Sequence, residues 1–269
     1  MATFLRMHSF TLRRSRRSSS LGYWLFMLFL VVSAGACKKD AVGADPEPDP
    51  TSSIVPYYKL QRVENMNAQT DDDNPTVTKL EILFSLKFKK EQPLSFAKTN
   101  RWDISFSGLY NSFLGANNKN DPTNSGYNGP GVGGVLIVAR AFDNVVDIPA
   151  DSEFKTGTKI IGTDDAGAFG EGIGWYLYDY GGTLVSDGRD DKMHVAYALG
   201  NPLGLQDGTV IPARTIIIRT AAGDYAKLKM ISCYKDAYTA DTWFRDTPHM
   251  FFTFEYVIVP KGSTKFEIK

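Results

Sequence analysis

The residues best equipped for chemistry lie together in Arg189-Asp190-Asp191-Lys192-Met193-His194, shortly after the aromatic run Trp175–Tyr180 (WYLYDY) and among Gly-rich loops. A Met thioether and a His imidazole are common protein ligands of haem iron, and flat aromatic neighbours suit a porphyrin. Arg189 and Lys192 are placed in sequence to pair with propionates. Met193 and His194 are therefore the candidate cofactor-binding residues, and His194 is the candidate metal ligand. The plainer alternative is a Met-His pair entering a strand at His194–Tyr197 as core or surface filler, which is the commoner fate of such a pair. His249-Met250, just ahead of the last strand, is a second pair with the same two readings.

Other constellations are weaker. Gly129-Pro130-Gly131-Val132-Gly133-Gly134 has the spacing of a dinucleotide fingerprint. That fingerprint needs a strand before it and a helix after it, whereas here a polar Asn/Gly loop leads into the apolar run VLIVA. A turn before a buried strand is the expectation. Acidic clusters at Asp71–Asp73, Asp164-Asp165 and Asp187 with Asp190-Asp191 lack the spacing of a calcium loop and read as solvated loop charges. There is no GxSxG and no HExxH, and Cys233 lies within an apolar run, where an inert thiol is expected. No catalytic residue is nominated, and a binding protein rather than an enzyme is expected.

Cys37 carries a different chemistry. Residues 1–36 hold five Arg and no acid, then an uncharged apolar run Leu21–Val32, then Ser33-Ala34-Gly35-Ala36 before Cys37. A basic region, a short apolar region and small residues before a cleavage point describe a secretory signal. The apolar run is shorter than the roughly 20 residues that span a bilayer. Ala-Gly-Ala-Cys resembles a bacterial lipobox, with Ala34 where Leu is preferred, and Lys38-Lys39-Asp40 resembles the start of many lipoproteins of the Bacteroidota. The resemblance implies acylation of Cys37 and a lipid anchor. Removing residues 1–36 turns 30 basic against 30 acidic side chains into 25 against 30, a net charge of −5. A balanced to acidic chain argues against a nucleic-acid partner. Two cysteines exclude a disulfide scaffold and a four-thiolate zinc site.

The elements that must position these residues are strands. Ala41–Ser53 is Pro-rich and acidic, so 37–55 reads as a disordered tether and 56–269 as one all-β antiparallel domain. Leu80–Phe88 alternates apolar and polar residues, as does Trp102–Phe106, and each reads as a strand with one wet face. Val135–Ala139, Thr215–Thr220, Tyr225–Tyr234 and Phe251–Val259 are rich in β-branched and aromatic residues. Ala221-Ala222-Gly223-Asp224 falls between two of them as a hairpin turn. No stretch of twelve residues carries a helical stripe.

Taken in order, Cys37-Lys38-Lys39-Asp40, Arg101–Phe106 (RWDISF), Trp175-Tyr176 and Ile217–Leu228 (IIRTAAGDYAKL) resemble the HmuY family, lipid-anchored haem-binding proteins of Bacteroidota. The resemblance covers about residues 95 to 259. It implies an all-β fold whose two long loops grip haem b from opposite sides, each giving one His or Met. It further implies an outer-membrane, surface-exposed protein that captures haem and hands it to a TonB-dependent transporter. Met193 or His194 stands about where the second ligand falls. Residues 142–172, at the place of the first loop, contain no His, Met, Cys or Tyr, and Asn117–Gly134 offers only Tyr127. Ala198–Ala213 is a further difference. The alternative is a non-haem surface lipoprotein on the same scaffold, binding a glycan or a protein partner.

Overall fold

The computed structural model describes residues 53–269, so the signal segment and Cys37 lie outside the described residues. Strands make up 34% of the structure, in several antiparallel sheets, and the helical remainder is three-residue 3₁₀ turns. The fold is predominantly all-β, as the alternating patterns predict. None of the described helices is long and apolar enough to cross a membrane.

The larger sheet has five strands in the order β1 (Gln61–Asn67), β13 (His249–Val259), β12 (Tyr225–Tyr234), β11 (Thr215–Arg219) and β6 (Gly134–Val138). The smaller has four: β3 (Lys90–Gln92), β2 (Ile82–Ser85), β4 (Ile104–Ser107) and β5 (Phe113–Ala116). Aromatic side chains join the two. Phe84 meets Phe254 edge-on at 5.4 Å between centroids, and Phe106 lies 4.9 Å from Phe252. The phenol of Tyr256 in the larger sheet donates to the Leu86 carbonyl at 2.8 Å. A separate pair, β7 (Tyr176–Asp179) with β8 (Val195–Ala198), is tied to β12 where the Ala196 amide donates to the Tyr234 hydroxyl at 2.9 Å. A small hairpin, β9 (Leu203–Gly204) with β10 (Val210–Ile211), fills the Ala198–Ala213 stretch.

The expected turn at Ala221–Asp224 joins β11 to β12, closed by the Thr220 amide on the Asp224 carbonyl. The polar faces of two strands differ from expectation. Ser85 and Asp103 are buried, because the structure covers both faces of the smaller sheet there. The Asp103 carboxylate accepts from the backbone N–H groups of Leu86 (2.8 Å) and Ala221 (3.2 Å), joining the two sheets. Burial pushes its pKa up to about 6.

The glycine-rich run holds no phosphate-binding helix terminus, since β6 follows it directly. Its glycines instead press on the buried Asn117: a Cβ at Gly131 or Gly133 would overlap that residue. The Gly133 amide donates to the Asn117 carbonyl at 2.7 Å. This loop is therefore packed tightly rather than being an open turn.

Candidate functional site

The β7–β8 pair sets the orientation of one side of a large cavity. Side chains alternate along a strand, so Tyr176 and Tyr178 face one way while Leu177 and Asp179 face the other. Ala196 is the register partner of Tyr178. Tyr176, Tyr178 and Ala196 line the cavity, whose volume is about 680 Å³. That lies within the roughly 300–1,000 Å³ typical of small-molecule sites. His194 stands just before β8 with φ +61°, a left-handed backbone that ends the strand and turns its ring to the cavity. This is why the strand starts at Val195 and not at His194.

The walls are largely aromatic. Trp175, Tyr176 and Tyr178 come from the β7 side, Tyr110 from the turn before β5, Phe113 from the start of β5, and Tyr234 from the end of β12. Phe169, 78% exposed, lies 6.1 Å from the rings of both Tyr178 and Tyr180. Tyr110, Phe169, His194 and Met250 all line the cavity, and all have φ between +52° and +62°. Bulky residues rarely adopt this conformation, which costs about 1–3 kcal/mol each and gathers at functional sites.

Two histidines, 55 residues apart in the sequence, reach this cavity. His194 shares a hydrogen bond of 2.9 Å between its Nδ1 and the Tyr178 hydroxyl, and its ring stands edge-on to Tyr180 at 4.7 Å. No hydrogen bond among the described residues engages its Nε2. His249 differs: Nδ1 faces the Thr247 carbonyl at 3.2 Å, and Nε2 donates to Asp72 at 3.0 Å. Burial raises the Tyr178 phenol, and burial with the carboxylate of Asp72 pushes that of Tyr110 up to about 12. Both therefore remain neutral hydrogen-bonding groups near neutral pH.

The sequence candidates separate in space. His194 lines the cavity; Met193, half-buried at the end of a 3₁₀ turn, does not. Of the second pair, both His249 and Met250 line it. Arg189 pairs with Asp191 at 2.9 Å. Lys192 is buried, donating to the Trp243 carbonyl at 2.6 Å and lying 3.7 Å from the Phe244 ring centroid. Neither Arg189 nor Lys192 lines the cavity, whereas Arg245, an exposed cation, does. Arg245 escapes sequence reading because it lies 51 residues from His194; its amide donates to the Asp191 carbonyl at 2.8 Å, which fixes it beside that turn.

One acid cluster differs from expectation. Asp164 is not a solvated loop charge but is fully buried, accepting from Arg214 Nε at 3.0 Å and Nη2 at 2.9 Å. Cys233, buried as expected, lines the cavity, and burial pushes its thiol up to about 12, which keeps it inert while it stays covered. Among the described residues no cluster of three or more His, Cys, Asp or Glu gathers as a site for a bare metal ion. No family model matches the chain, and no curated protein matches it.

Proposed function

We propose that this protein is a haem- or porphyrin-binding protein of the HmuY type, binding its ligand in the aromatic cavity with His194 as the iron ligand. One observation carries the reading: the His194 ring is oriented through Nδ1 by Tyr178, which leaves Nε2 unengaged at an aromatic-walled cavity of small-molecule size. Metal-ligating histidines are characteristically held in this way through their second nitrogen. Trp175, Tyr176 and Phe169 offer apolar surface to a flat ring system, and Arg245 offers a cation to its carboxylates. In this reading Cys37 is acylated and anchors the protein at the outer membrane, and the captured haem passes to a TonB-dependent transporter. The chain acts by binding, not by catalysis.

The test is titration of hemin into the mature chain 37–269 prepared without lipid. A saturable Soret shift is expected at micromolar hemin, and in His194→Ala it is lost or weakened by about a hundredfold. Loss of a first ligand should cost at least what loss of an outer partner does, about 10- to 100-fold. An unchanged spectrum with the native chain would sink the reading. The same groups support a second reading. Asp72, Asp246 and Arg245 on the lining can hydrogen-bond sugar hydroxyls, and the exposed aromatic faces can stack on a glycan or a partner's side chain. Binding on a glycan array, with a flat hemin titration, would favour it.

A further inference from the structure

We propose that Gln69–Lys79 is a strap lying over the cavity, held shut through one side chain, the carboxylate of Asp72. Asp72, Pro75 and Thr76 line the cavity, so the segment forms part of its wall. The strap is joined to the rest of the fold at both ends. The Ala68 amide donates to the Met250 carbonyl at 2.8 Å, and Asn111 Nδ2 donates to the Leu80 carbonyl at 3.0 Å. Between those points its hydrogen bonds close on itself. The Asn74 amide donates to Asp71, the Val77 amide to the Asn74 carbonyl, the Lys79 ammonium to the Asn74 and Val77 carbonyls, and the Leu80 amide to the Gln69 side chain.

Asp72 is the exception. It accepts from His249 Nε2, on the main body of the fold, at 3.0 Å. Among the described residues this is the hydrogen bond that crosses from the span 69–79 to the body. Apolar burial adds little, since Val77 is 54% exposed. A segment that satisfies its own backbone and is tied by one exposed carboxylate can open as a unit without unfolding the sheets beneath. His249 is thus a positioning residue that holds the strap, and the inference stands whatever the cavity binds.

Cys233 reports the opening. It lines the cavity and is 2% exposed, and in a mature chain carrying Cys37→Ser it is the sole thiol. The measurement is the rate of Cys233 labelling by a small thiol reagent, in that background and in Asp72→Ala, Asp71→Ala and Asp73→Ala. Removing a hydrogen bond to a charged group should speed labelling about tenfold in Asp72→Ala. The thermal midpoint should stay unchanged, Asp73→Ala should have no effect, and Asp71→Ala, which frees only the Asn74 amide within the strap, should have a smaller effect than Asp72→Ala. An unchanged rate in Asp72→Ala overturns the proposal. So does an equal acceleration in all three variants, which would report net charge, or an acceleration matched by a fall in global stability, which would report unfolding. Hydrogen exchange gives a second reading: faster exchange is expected in 69–79 with β12 and β13 unchanged.

Discussion

The two sides of the cavity are built on different principles. On the His194 side, buried carboxylates organise the backbone. Asp164 accepts from Arg214 and from the Gly174 amide, and Asp179 accepts from the amides of Thr183, Leu184 and Val185. Trp175 Nε1 donates to the Ser112 carbonyl at 2.6 Å, and the Tyr176 hydroxyl meets that of Ser112 at 2.9 Å. On the His249 side, the strap rests on one exposed carboxylate. The comparison teaches that a wall fixed by buried charge and a wall held by one exposed carboxylate can line the same cavity. The histidine on the firm wall has a nitrogen to spare, whereas those of the other are both engaged, Nε2 by the strap's Asp72 and Nδ1 by the Thr247 carbonyl.

The sharpest way to break this contrast is to remove the firm wall's central charge. Asp164→Asn leaves Arg214 buried without its counter-charge and is expected to cost about 3–5 kcal/mol, read from denaturant unfolding. A loss as small as that of an exposed surface substitution would show that the two walls do not differ in the way described.

A buried carboxylate away from the cavity, Asp103 between the two sheets, sharpens the point because it is held by amides. Its folded-state pKa, about 6, lies above the ordinary carboxylate value, so between about pH 4 and 6 the folded chain holds a proton that the unfolded chain has released. This contribution to stability is therefore greatest at the acid end of that window and falls as pH rises through it, by about 3 kcal/mol for a shift of this size. Asp103→Asn should flatten that part of the stability profile, and a profile with an unaltered slope would contradict the assignment. The smallest expected effect is at the ligand pair: Tyr178→Phe should weaken hemin binding about tenfold by releasing the His194 ring, whereas His249→Ala should leave the affinity within a few-fold. Equal losses in the two variants would erase the distinction between the histidines.

Strands were the legible part of the fold. The period-two pattern of Tyr225–Tyr234 coincides with β12 residue for residue, and the Gly223 turn falls where expected. What alternation cannot convey is what covers each face, which is why Asp103 and Ser85 read as wet and are buried. The fate of a charge depends on partners far away in sequence: Arg214 for Asp164, the Trp243 carbonyl for Lys192. The candidate site was half legible. His194 stood out through its residue type and aromatic neighbours, but its meeting with His249 joins positions 55 residues apart, and Asp72 lies 177 residues from the histidine it binds. No local pattern encodes such closures.

The long strand β13 has a mechanical consequence. It begins with His249 at the cavity, and near its other end the Ile258 carbonyl accepts from the Tyr58 amide, where the chain enters from its N-terminal side. At about 3.4 Å per residue, these points are roughly 30 Å apart. The entry is braced, with the Lys269 amide donating to the Tyr58 carbonyl and the Lys59 ammonium to the Lys269 carbonyl. Tension applied through the N-terminal side is therefore taken up by this brace and the far end of the sheet, and the strap and both histidines lie beyond its reach.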